Sequence, residues 1–178
     1  MHQDIKKIIV SREQIQVRAS ELATEIEEAY QNQKAPIFIA LLKGSVPFLA
    51  ELITHMNLDI EIDFMDVSSY EGTESIGDVR IIKDLNKSIK GENILLVEDI
   101  IDTGRTVHEV TKLLFNKGAL SVKTCTLLDK PSRRVVEVPV DFVGFEIENE
   151  FVVGFGLDFN EKYRQLPYVG VLKDELYQ

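Results

Sequence analysis

The chain has 178 residues, of which 30 are acidic and 20 basic, for a formal net charge of −10. That length suits one domain, and a 44% apolar share excludes disorder as the main state. The acidic balance argues against holding nucleic acid by general phosphate attraction, although it leaves room for a small basic pocket.

No repeat, low-complexity segment or Pro- or Ser-rich linker interrupts residues 1–178, which are read as a single domain. Ser11 and Gln14 fit a capping box. Behind it Ile15, Ala19, Leu22, Ile26 and Ala29 recur at helical spacing, predicting a helix that ends near Tyr30. Ile37–Leu41 is apolar on both faces, as a buried parallel strand would be. A sharp turn at Leu42-Lys43-Gly44-Ser45 leads to a helix with Pro47 at its first position and Phe48, Leu49, Leu52, Ile53 and Met56 on its inner face. Leu58–Phe64 alternates strictly and predicts a strand with one wet face. The polar stretch Ser68–Asp78 predicts a mobile loop, with a return strand at Val79–Lys83 closing a hairpin. Asn93–Val97 is a second buried strand. A helix from about Arg105 carries Val107, Val110 and Leu114 and stops at Gly118. Further strands are expected at Val122–Leu128, Phe142–Ile147 and Phe151–Leu157. The sequence of elements predicts an α/β fold with a central, mostly parallel sheet, whose ligands sit beyond the carboxyl ends of the strands.

The lone Cys125 lies in an apolar run and reads as a buried, inert thiol. His2, His55 and His108 have no nearby Cys or His partners, so no zinc site is expected. No apolar run approaches the roughly 20 residues needed to span a bilayer. Residues 1–7 also lack the apolar stretch of a signal peptide. A cytoplasmic chain with neither membrane nor nucleic acid as partner is therefore expected.

The segment after Val97 carries the densest chemistry. Glu98, Asp99 and Asp102 fall within five residues, and Thr103-Gly104-Arg105-Thr106 opens a helix. Consecutive backbone N–H groups, two hydroxyls and the positive end of a helix make a phosphate site. Carboxylates beside it suit sugar hydroxyls, a divalent cation or a group that loses a proton. The competing reading is that the three acids merely cap the loop and the helix. Neither the P-loop nor the dinucleotide Gly-x-Gly-x-x-Gly spacing occurs in the chain. A receiver-type phospho-acceptor would need an acidic pair at the end of the earlier strand, where Leu41-Leu42-Lys43 gives none.

The run Leu96-Val97-Glu98-Asp99-Ile100-Ile101-Asp102-Thr103-Gly104-Arg105-Thr106 resembles the phosphoribosyl-pyrophosphate motif of the type I phosphoribosyltransferases. The likeness extends over most of the chain and narrows to the 6-oxopurine branch, in its short, bacterial-like form. It rests on Leu42-Lys43-Gly44-Ser45, Ser69-Tyr70, Asp129–Arg134, Asp141–Ile147, and Phe151–Glu161 with Arg164. That family's fold is the predicted one, with a small purine-side hood subdomain and a flexible lid loop.

The resemblance implies transfer of the 5-phosphoribosyl group from phosphoribosyl pyrophosphate to N9 of hypoxanthine and guanine, with magnesium as cofactor. The transition state would resemble an oxocarbenium ion. Glu98 and Asp99 would hold the ribose hydroxyls, directly or through magnesium, and Asp158 would help bind a second ion. Asp102, Thr103, Gly104, Arg105 and Thr106 would wrap the 5′-phosphate. Asp102 would take a proton from the purine or, alternatively, only orient it at N7. Lys43, Gly44 and Arg164 would contact pyrophosphate, with a cis peptide at Lys43-Gly44. Phe151 would stack on the purine, Lys130 would donate to O6, and backbone groups at Val152 and Asp158 would meet the other edge. Ser69 and Tyr70 would lead the lid. Ser45 and Arg105 replace a glycine and a lysine of the longer forms, which bears on base preference alone. A homodimer or homotetramer is implied. The rival reading is a regulator that senses phosphoribosyl pyrophosphate and binds nucleic acid, against which the charge of −10 speaks.

Overall fold

The computed structural model describes residues 1–69 and 79–177. Its elements are β1 (Ile5–Val10), α1 (Arg12–Tyr30), β2 (Ile37–Leu41), α2 (Val46–Ile53), β3 (Glu61–Ser69), β4 (Val79–Lys83), β5 (Asn93–Ile101), α3 (Arg105–Asn116), β6 (Ser121–Asp129), β7 (Phe142–Glu146), β8 (Val152–Val153) and β9 (Val169–Leu172). Short 3-10 turns follow at Pro131–Arg133 and Asp174–Leu176.

Ile37–Leu41 and Ile94–Val97 are apolar at every position, so both faces of these strands must be covered. They lie side by side in the middle of a six-stranded sheet of order β4-β3-β2-β5-β6-β7. All neighbours are parallel except β3 and β4, which form the expected antiparallel hairpin. Alternate side chains then serve two cores. Phe38, Ala40, Leu95 and Val97 pack with Leu22 and Ile26 of α1 and Phe48 and Leu49 of α2. Ile39, Leu41, Ile94 and Leu96 pack with Val107, Val110 and Leu114 of α3. Each such Val, Leu, Ile or Phe side chain, fully buried, contributes roughly 1.5–3 kcal/mol of hydrophobic stabilisation. Ser11 caps α1 in a complete capping box with Gln14. α3 ends against Gly118, whose φ of 91° is left-handed. Cys125 is wholly buried, and burial pushes its thiol pKa up, as befits an inert side chain.

A second, antiparallel sheet of order β1-β9-β8 joins the two ends of the described chain. Val10, Val152, Val169 and Val171 tie it to the α1 and α2 side of the main core. β1 and β9 have no counterpart in the sequence reading.

Several boundaries also differ from it. Pro47 is the second residue of α2, after Val46. β3 starts at Glu61 rather than Leu58; Leu58, Ile60 and Phe64 pack on the main core as their alternation implies, but the face expected to be wet is covered too, with Met65 buried in the second core. Asp63 is 6% exposed and Ile62 47% exposed, because the Asp63 carboxylate accepts from the backbone N–H groups of Phe64 and Asn86 and from Asn86 Nδ2 at 2.8–3.0 Å. A fully bonded carboxylate can be buried where an unpaired one cannot. β5 runs on to Ile101, so Glu98 and Asp99 belong to the strand and not to a loop after it. β8 stops at Val153, since Gly154, Phe155 and Gly156 all take positive φ and leave the extended conformation.

Candidate active site

The parallel strands deliver three loops to one end of the main sheet: the turn after β2, the β5–α3 turn and the segment after β6. The first two enclose a cavity of about 240 Å³. Glu98, Asp99 and Asp102 all line it, together with Gly44, Thr103, Gly104 and Thr106. The acidic trio is thus brought together, although its members differ in environment. Glu98 is 6% exposed, and burial, then the neighbouring Asp99 charge, raises its pKa well above the ordinary carboxylate range. Burial also raises the pKa of Asp99, opposed by the Arg164 charge and reinforced by that of Asp158. Asp102 is half-exposed and accepts from Arg133 Nε at 3.1 Å.

The turn that starts α3 is built for close approach. Gly104 has φ 84°, and α3 carries no side-chain N-cap. A Cβ on Gly104 would lie 2.9 Å from Arg134 Cδ and closer still to the Val136 carbonyl, which only glycine permits. Segment 133–136 braces this turn from outside. The N–H groups of Val135 and Val136 both donate to the Thr103 carbonyl, and Arg134 Nη1 donates to the Asp102 carbonyl at 2.8 Å. The other arm of Arg134 pairs with Asp129, both nearly buried. Sequence reasoning assigned no role to Asp129, Arg133 or Arg134; their signal was the Asp-Lys-Pro-Ser-Arg-Arg run itself.

Among the residues expected to meet pyrophosphate, Lys43 Nζ donates to Glu161 Oε2 at 2.8 Å, and Arg164 Nη2 lies 3.0 Å from Asp158 Oδ1 and 3.1 Å from Glu161 Oε1. Glu161, another residue the sequence reading left without a role, has its pKa lowered by hydrogen bonds from Lys43 and Arg164. It follows Asn160 in a tight turn where both residues have positive φ (52° and 62°), a conformation worth roughly 1–3 kcal/mol of strain per residue. The cis peptide of this region is Leu42–Lys43, one bond earlier than the family likeness implied.

Among the residues expected to meet the purine, Lys130 is 7% exposed, its ammonium donates to the Glu150 carbonyl at 2.7 Å, and burial lowers its pKa. Phe151 is 37% exposed and stacks on Tyr177 with centroids 4.7 Å apart, while Phe159 meets it edge-on. Val152 is buried in β8 opposite Val171. Tyr177 was missed because nothing in the sequence links it to Phe151. Ser69 ends β3 and pairs by backbone with Val79. Tyr70 and most of the expected lid lie outside the described residues. Among the described residues, no group of three His, Cys, Asp or Glu side chains forms a ready metal cage, so Glu98, Asp99 and Asp158 are not assembled as one.

The phosphoribosyl transferase domain family matches residues 8–160. Over 179 aligned residues the chain is 50% identical to the hypoxanthine-guanine phosphoribosyltransferase of Bacillus subtilis, with 100% of this chain and 99% of the relative covered. The chain belongs to the hypoxanthine-guanine phosphoribosyltransferase family. The corresponding enzyme of Lactococcus lactis is 54% identical over 97% of this chain and 94% of its own length. The bifunctional protein TilS/HprT of Listeria monocytogenes is 49% identical over 99% of this chain, which spans 27% of that relative's length. Among solved structures, a hypoxanthine phosphoribosyltransferase of Staphylococcus aureus superposes with a TM-score of 0.94 at 46% identity, covering 100% of this chain and 97% of that one. The Trypanosoma cruzi hypoxanthine phosphoribosyltransferase in complex with the product IMP gives 0.93 at 36% identity, with 99% of each chain covered. Family membership accounts for the mostly parallel sheet with flanking helices.

Proposed function

We propose that the chain transfers the 5-phosphoribosyl group of phosphoribosyl pyrophosphate to N9 of hypoxanthine and of guanine, releasing pyrophosphate. The observation that carries this reading is one cavity wall on which the desolvated Glu98 and Asp99 run directly into the uncapped amino end of α3. A phosphate seated on that helix end is held by backbone N–H groups and the positive pole, with Asp102–Thr106 around it. The pentose attached to it then faces Glu98 and Asp99, whose hydrogen-bonding oxygens suit its hydroxyls. Their negative charge favours the cationic character that develops at the sugar in the transition state.

Asp102, accessible and oriented by Arg133, takes the proton that the purine loses. Lys130 stands with one donor on the Glu150 carbonyl and others left for O6 of a 6-oxopurine. Adenine would set an amino donor against those donors, leaving both unpaired. Phe151, backed by Tyr177, offers its remaining face to the base. Backbone groups at Val152 and Asp158 would meet the far edge. Ser69 and Tyr70 would begin a lid that excludes water from the sugar.

Lys43, Gly44 and Arg164 would take the pyrophosphate. Magnesium, when bound, would spread the charge of that leaving group. Asp99 and Asp158, whose charges already sense each other, suit an ion that takes one or two carboxylates and completes its shell with phosphate and water oxygens. Glu98 would assist from the ribose side. A homodimer or homotetramer is part of this proposal, and a cytoplasmic location goes with it. The relatives from Bacillus subtilis, Lactococcus lactis and Staphylococcus aureus carry phosphoribosyltransferase names and give no support to the nucleic-acid-binding alternative.

A spectrophotometric assay with phosphoribosyl pyrophosphate, magnesium and each of hypoxanthine, guanine, xanthine and adenine tests the proposal. Nucleotide from the first two alone is the expected result. No nucleotide from any base overturns it.

A further inference from the structure

Lys43 and Arg164 come from distant parts of the chain and converge on a single carboxylate. Each takes a different oxygen of Glu161, Lys43 at 2.8 Å and Arg164 at 3.1 Å. A pyrophosphoryl group held by the same two cations would span them in the same way. The anchoring of the two cations is unequal. Arg164 also pairs with Asp158 at 3.0 Å and donates to the Gly156 carbonyl at 2.7 Å, so it keeps its place without Glu161. Among the described residues, the Lys43 ammonium pairs with Glu161 alone. Glu161 has a fixed base and an exposed tip. Its backbone N–H donates to Asp158 Oδ2 at 2.8 Å, while its side chain is 66% exposed.

We propose that Glu161 is a built-in counter-anion that holds Lys43 and Arg164 together in the empty enzyme and competes with pyrophosphate for them. This rests on the reading of Lys43 and Arg164 as pyrophosphate ligands. Two cations facing one another without an anion would repel, and the lysine would swing into solvent; the carboxylate keeps them converged. Exposed ion pairs of this kind are weak, so a ligand with several negative charges displaces a single carboxylate. The displaced carboxylate remains beside its cations and recaptures them when the product leaves. Glu161 is thus a positioning residue that lowers pyrophosphate affinity and hastens its release.

Calorimetric titration of inorganic pyrophosphate with magnesium into the unmodified chain and Glu161→Gln provides the test. If the latch is closed nine-tenths of the time, its removal tightens the pyrophosphate Kd about tenfold, because apparent affinity scales with the competent fraction. IMP, whose phosphate seats on the α3 turn, keeps its affinity. In a Lys43→Met background the same Glu161→Gln change has little effect, at most about twofold. Unchanged or weaker pyrophosphate binding by Glu161→Gln, in a chain whose unmodified form makes nucleotide, overturns the latch alone. Failure of the unmodified chain to make nucleotide overturns the reading beneath it.

Discussion

The α-carbon of Gly44 rests against the carboxylate of Asp99. A Cβ built on Gly44 would lie 2.7 Å from Asp99 Cγ and closer still to Oδ2, leaving no space for a methyl group. Gly44→Ala must therefore push Asp99 out of the cavity wall or shift the turn after β2. Displacement of a reacting group by about 1 Å can lower rates about 100-fold. A drop of that order in kcat/KM is expected, with the far-UV circular dichroism spectrum retained. Full activity in Gly44→Ala would show that the position of Asp99 is immaterial.

Asp102→Asn preserves the shape of the side chain and its hydrogen bond from Arg133 in part, while removing the capacity to accept a proton. kcat is expected to fall by about 10²–10⁴-fold with little change in purine KM. Arg133→Gln, which loosens Asp102 without removing it, should give a smaller loss. Near-full turnover in Asp102→Asn would leave Asp102 an orienting role only.

Lys130→Gln exchanges an ammonium for an amide that can either donate or accept. kcat/KM with hypoxanthine should fall by roughly 100-fold, while discrimination against adenine narrows. Steady-state rates with the two bases measure both effects. Undiminished preference for hypoxanthine would place base selection elsewhere.

Glu98 links activity to stability. Burial raises its pKa, so the folded chain holds this proton more tightly than the unfolded chain does. The sign follows: stability is greatest below the unfolded value of about 4.3 and declines as pH rises towards the folded value, above which the penalty is constant. Glu98→Gln removes that penalty. It should be more stable than the parent at pH 7, with a smaller gain at pH 4.5, and should lose activity. Urea denaturation at the two pH values is the measurement, and a Glu98→Gln chain less stable than the parent at pH 7 contradicts the assignment.

Arg134 joins the buried Asp129 carboxylate to the turn at Asp102. Truncation to Ala strands that carboxylate, and breaking a buried pair in this way costs about 3–5 kcal/mol. For a chain of this size each kcal/mol lowers Tm by roughly 2–4 °C. A fall in Tm of about 6 °C or more is expected, together with weakened 5′-phosphate binding because Gly104 leans on the arginine stem. Differential scanning calorimetry would show it.

The main sheet was legible because its signals are local. Ile37–Leu41 and Ile94–Val97 are apolar throughout, Ser11 and Gln14 form their cap within four residues, and Glu98–Thr106 carries its acids and its glycine turn in one uninterrupted run. What escaped depends on distant partners. Asp63 is inward because Asn86 bonds it, so alternation alone could not show that the second face of β3 is covered. β1 and β9 are short and find their order only by pairing across the chain. Glu161 gains meaning from Lys43, and Tyr177 from Phe151, neither of which is nearby in sequence.

The two halves of the site meet glycine to glycine. A Cβ on Gly156 would lie 2.9 Å from the Gly44 carbonyl carbon, and the Gly156 carbonyl is itself held by Arg164. Main chain presses on main chain there, and the Pro47 ring would lie 3.0 Å from the same Cβ, so the joint leaves no room for a side chain at Gly156. If the site works as proposed, base preference can drift through Phe151, Tyr177 and their surroundings, while the spacing between leaving group and nucleobase would be held by this joint. Engineering for a bulkier acceptor should accordingly begin at the aromatic rim and leave that contact untouched.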